Sequence, residues 1–175
     1  MRNMPIIIPW IKVPQYLLVI LVALTKVVAA HSCEVTNPIN IEELKSFIKT
    51  RRIGNVRIFS RSYKSLTPMT MRAQDLEEIW EIDINPQKNN EYAESILQNL
   101  SILKICKSSE VPDLYWGIVI YNVKNERIFS AYFEREYLSV SRVRGKINNI
   151  NVSIPKEILS WFETRFPEFE SRQRN

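Results

Sequence analysis

Between positions 40 and 49 the apolar side chains Ile41, Leu44, Phe47 and Ile48 recur at steps of three and four, the stripe of one helix. Asn40 is placed to cap its start. Glu42 and Glu43 fall in the first turn and Lys45 and Lys49 later, the order a helix dipole favours. Gly54 is expected to end this segment. From Asn55 to Tyr63 ("NVRIFSRSY") apolar and polar residues alternate, which predicts a strand. Pro68 interrupts, and "MRAQDLEE" (71–78) predicts a short helical turn leading into a second alternating strand, "IWEIDI" (79–84). Asn85-Pro86 stops that strand, and Tyr92, Ile96, Leu100 and Leu103 stripe a second helix over about 89–104.

The second half is richer in strands. "LYWGIVIY" (114–121) is apolar on both faces, the mark of a central strand. "NVKNE" predicts a turn, and "RIFSAYF" (127–133) its hairpin partner. "LSVSRV" and "INVSI" flank Gly145 and the pair Asn148-Asn149, which predicts a second, shorter hairpin. Pro155 is expected to open a closing helix that turns Ile158, Leu159, Phe162 and Phe166 to the core. The pattern as a whole predicts an α+β fold: one small domain, mostly antiparallel sheet, with about three helices packed on it.

The front end reads differently. Arg2 and Lys12 are basic, residues 1–33 hold no Asp or Glu, and an apolar run spans Tyr16–Leu24. That run is short against the roughly 20 residues a membrane-spanning helix needs. Its layout predicts a secretory signal over 1–30, with Val28 and Ala30 flanking the cut and His31 as the first mature residue. An uncleaved anchor is the alternative. The expected location is therefore outside the cytoplasm, periplasmic or extracellular, with 31–175 as a single α+β domain. Small residues before Cys33 also suit an acylated cysteine, although the intervening His31-Ser32 fits that pattern poorly. A membrane role would require that acylation or an uncleaved signal.

Export changes the charge argument. The whole chain carries 24 basic and 19 acidic residues. Cleavage removes Arg2, Lys12 and Lys26 but no acid, which leaves 21 bases against 19 acids. So slight an excess argues against nucleic acid and for another protein as the partner. Cys33 and Cys106, the only two cysteines, are the expected disulfide of an exported chain. Closing so long a loop stabilises by about 4 kcal/mol in the chain-entropy account.

Candidate chemistry narrows mainly by elimination. The three glycines, 54, 117 and 145, are never clustered, so neither a P-loop nor a dinucleotide fingerprint can be written. His31 is the only histidine, too few for a two-histidine metal site or a well-placed catalytic triad. No metal and no cofactor is expected. Glu134 and Glu136 stand two apart near a strand end; carboxylates about 5–9.5 Å apart serve glycosidases, but a solvated strand end beside Arg135 is the plainer reading.

One distribution is uneven. Lys45, Lys49, Arg51, Arg52, Arg57, Arg61, Lys64 and Arg72 fall between positions 44 and 74 with no acid among them. Seven acids then follow within 75–94. Arg57, Phe59, Arg61 and Tyr63 share one face of the first strand and are the candidate partner-binding residues, since interleaved arginines and aromatics suit single-stranded nucleic acid or an acidic partner. Internal pairing competes: if the first two strands are neighbours, Arg57 and Arg61 can face Glu81 and Asp83. The residues carry no family motif. The expected function is a small exported, non-catalytic interaction protein, such as an inhibitor, an immunity-type protein or an envelope component. A carboxylate-based secreted hydrolase is the alternative, and an anion or nucleic-acid binder using the 44–74 block the third.

Overall fold

The computed structural model describes residues 33–61, 70–79, 81–135 and 141–166. Helix α1 (Ile41–Lys49) starts where expected, with the Asn40 side chain accepting from the Glu43 amide. Its end differs from expectation. The amide of Arg51 donates to Ile48 O and that of Arg52 to Phe47 O, and Arg51 takes a left-handed φ of 51°. These paired bonds satisfy the last helical carbonyls in the Schellman manner. The stop is therefore Arg51, and Gly54 lies inside strand β1 (Ile53–Ser60). A Cβ at Gly54 would come within 2.3 Å of Asn122 O, at the register shift between β1 and its neighbour, so that crossing admits only glycine.

The helical turn expected over 71–78 is helix α2 (Ala73–Ile79), which takes in Ile79, and the strand expected over 79–84 shortens to β2 (Glu81–Ile82). A 3-10 turn over Pro86–Lys88 then feeds α3 (Asn89–Ile102). Strand β3 (Cys106–Lys107), which periodicity did not predict, precedes the central hairpin β4 (Leu114–Asn122) and β5 (Arg127–Glu134). Strands β6 (Arg142–Ile147) and β7 (Ile150–Pro155) form the second hairpin. It turns on Asn148 and Asn149, both at positive φ, as a two-residue hairpin loop demands. Gly145 lies within β6, and Pro155 ends β7 instead of opening the closing helix α4 (Glu157–Arg165).

All seven described strands join one antiparallel sheet, in the order β2-β1-β4-β5-β6-β7-β3. With four helices it is a single small α+β domain, as the pattern predicts. One face carries the main core. Val56, Ile58, Ile118, Ile120, Phe129, Phe133, Val143, Val152 and Ile154 meet the apolar stripes of α1, α3 and α4 there. Phe162 of α4 stacks on Trp116 at 5.4 Å between ring centroids and meets Phe133 and Trp161 edge-on. The other face holds a smaller cluster, in which Phe59, Val119, Leu114 and Tyr132 lie under Leu76 of α2 and Met71.

Both cysteines, Cys33 and Cys106, are disulfide-bonded. Beside Cys106 the chain at Glu34–Thr36 runs antiparallel to 105–107, with Thr36 N on Ile105 O and Lys107 N on Glu34 O. Arg142 ties this sheet edge together, donating to Ser153 Oγ, Ser153 O and Lys104 O while lying 3.0 Å from Cys106 Sγ.

Candidate functional site

Among the described residues, the sheet face under α2 and the groove between α1 and α3 carry side chains capable of recognition. The first is crossed by a chain of polar pairs. Glu81 receives Arg57 Nε at 2.6 Å and a second, shorter bond from the same guanidinium. Tyr121 lies beside both Arg57 and Arg127. Arg127 binds Glu77 at 2.5 Å, and Glu77 also receives the Tyr132 hydroxyl. Charge-assisted bonds of this kind are about twice as strong as neutral ones. The Arg57 bond holds the Glu81 carboxyl below its usual pKa, and burial, then the bond to Glu77, pushes the Tyr132 phenol up. The Tyr132 ring lies over Gly117, where a Cβ would meet its Cδ1 at 2.7 Å.

The predicted binding residues sit within this arrangement. Arg57 is half-buried, bound to Glu81 and 5.3 Å from the Phe59 ring centroid. Phe59 is 0 % exposed. Arg61, 3 % exposed, lies over the Tyr115 ring with Nη1 3.6 Å from Asp113. Phe59 packs with Leu76 of α2, so the described members of this set present no open aromatic platform. Of the internal pairings considered, Arg57 with Glu81 is present, whereas Arg61 takes Asp113 in place of Asp83. Tyr63, Lys64, His31 and Glu136 lie outside the described residues.

Carboxylates on this face are committed to partners. Glu134 is buried, accepting from the Arg144 amide at 2.8 Å and from its Nε at 2.7 Å, while Arg144 Nη1 reaches Glu110. That geometry holds a charge in place; it does not aim a carboxylate at a substrate. A groove of about 420 Å³ opens beside Glu77, Arg72, Arg127 and Lys146. Among the described residues Glu77 is the one carboxylate on its wall, and it already serves two donors. Among the described residues no group of three or more His, Cys, Asp or Glu side chains could hold a metal ion. No described helix is long and apolar enough to cross a membrane.

The second surface follows from the uneven charge. Lys45 pairs with Glu42, and Arg57 and Arg61 are matched as above. Lys49, Arg51 and Arg52 are exposed and make no salt bridge among the described residues. Lys49 and Arg51 border a groove of about 580 Å³ between α1 and α3, with Ile48 and Leu97 on its wall. Periodicity did not single out this groove, although the cations that line it were visible as a run. Comparison with protein-family models, curated proteins and solved structures returned no match.

Proposed function

We propose that this chain is a small exported interaction protein that works by surface complementarity and carries out no catalysis. The observation carrying the reading is the uneven neutralisation of charge. Along the sheet Arg57, Arg127 and Arg144 are matched to Glu81, Glu77 and Glu134, while Lys49 and Arg51 at the end of α1 stand exposed beside an open groove. Matched pairs hold a fold and leave little for a substrate; unmatched surface charge steers and orients a partner. The disulfide supports export, because such bonds persist in oxidising compartments.

Affinity capture from the protein's own host tests both halves. The tagged chain, recovered from outside the cytoplasm with an intact mass that begins at His31, is expected to retain a partner protein that rising salt releases. Recovery from the cytoplasm with Met1 still present would overturn the export half, and retention of no protein would overturn the interaction half.

A further inference from the structure

We propose that the groove between α1 and α3 receives an acidic polypeptide segment with an apolar anchor, and that Arg51 is placed to hold it. This deepens the interaction reading and rests on it. The first observation is conformational. At the C′ position of a Schellman end glycine is the usual residue, because the left-handed region costs an L side chain free energy. Here the position is Arg51, at φ 51°. It is exposed and lines the groove, with no carboxylate paired to it among the described residues. A residue kept in an unfavourable backbone region, doing nothing for the fold that glycine would not do better, points to a role for its side chain.

The second observation is the groove's chemistry. Lys45 is paired with Glu42, while Lys49 and Arg51 stand against a single lining acid, Glu94, so the balance of the lining is cationic. Half-buried Ile48 supplies an apolar spot with the largely buried Leu97 behind it; the Gln98 side chain and the Asn90 side-chain oxygen can bond a peptide backbone, the Asn90 amide nitrogen already donating to Ile48 O. Helix α1 accounts for Lys49 in part, since a cation suits a helix C-terminus. It does not account for Arg51 in place of glycine. Nucleic acid fits less well: among the described residues no aromatic ring lines the groove to stack a base.

The test uses the purified exported chain and three fluorescent probes: a 12-residue peptide of glutamates with leucines at every third position, the same peptide with serine for leucine, and a single-stranded oligonucleotide of equal charge. The leucine peptide is expected to bind at least about 10-fold tighter than the other two, with amide shifts confined to 45–51 and 90–101. Lys49→Glu with Arg51→Glu should abolish that binding. Arg51→Gly is the deciding variant: the thermal midpoint should hold or rise by a few degrees, while affinity falls several-fold. Equal or tighter oligonucleotide binding, shifts mapping elsewhere, no binding of the leucine peptide at millimolar concentration, or an Arg51→Gly variant that keeps its affinity would each overturn the proposal. A captured natural partner whose binding survives the double reversal would overturn this groove assignment while leaving the interaction reading intact.

Discussion

The two faces of the sheet are held by different physics. On the face covered by α1, α3 and α4, side chains from every long strand meet apolar helix stripes, and the residues at the centre are fully buried. On the other, one short helix covers a small apolar cluster, and a chain of arginine, carboxylate and tyrosine contacts spreads beyond it. The first face stabilises by removing area from water, which is large and non-directional. The second contributes less, because its pairs are partly solvated and exposed pairs are worth only about 0–1 kcal/mol. Its polar pairs instead set geometry, fixing Tyr132 over Gly117 and Arg57 against Phe59.

The sharpest way to break this comparison is at Phe162. Phe162→Ala removes a ring that contacts Trp116, Phe133 and Trp161 at once, and should cost about 3–5 kcal/mol in urea unfolding. A cost under about 1 kcal/mol would show that the helical face is not the main source of stability.

Tyr132→Phe probes the opposite face. It removes one hydrogen bond to Glu77, which keeps Arg127, and should cost about 1 kcal/mol at neutral pH. Its signature lies in alkali. The folded pKa of Tyr132 is raised, so its contribution is fully present below the unfolded phenol value of about 10 and is lost as pH rises through the folded one. Unfolding midpoints of the wild type should therefore fall more steeply above pH 10 than those of the variant. Tyr115, also raised by burial, leaves a residual slope in both. Parallel curves would mean that Tyr132 ionises in the folded protein as readily as in the unfolded chain.

The smallest effect belongs to Arg57→Ala, about 0–1 kcal/mol and shrinking with added salt, since the pair with Glu81 is partly exposed. The folded pKa of Glu81 is lowered by Arg57, so the pair's contribution is present above the unfolded carboxyl value of about 4.3 and fades as pH falls through the folded one. The gap between wild type and variant should close in that acidic window. A gap that widened with salt or acid would remove the ion pair as its cause.

Much of the scaffold was legible along the chain, because periodicity reports directly on which side chains share a face. The stripe of α1, the two-sided apolar run of β4, its return in β5 and the asparagine pair of the last hairpin all appear as read. The cysteine pair follows from count and expected compartment. Where one element passes into another the reading slipped. Ile79 ends a helix instead of opening a strand, β3 is two residues long and too short for any period to show, and Arg51 ends α1 where glycine was expected to do so.

The candidate site was the least legible part, for a physical reason. Alternation along β1 places Arg57, Phe59 and Arg61 on one side, but it cannot say whether that side is covered. Coverage came from α2 and from the loop before β4, which supplies Asp113 to Arg61. Pairings such as Glu77 with Tyr132 and Arg144 with Glu110 join residues 55 and 34 positions apart. Local sequence carries no trace of such distances. The charge run announced that unmatched cations would exist; only the folded chain decided that Arg57 and Arg61 are matched and that Lys49 and Arg51 are left facing a groove. Local pattern follows from the backbone's own repeat, while charge matching depends on which distant segments the core brings together.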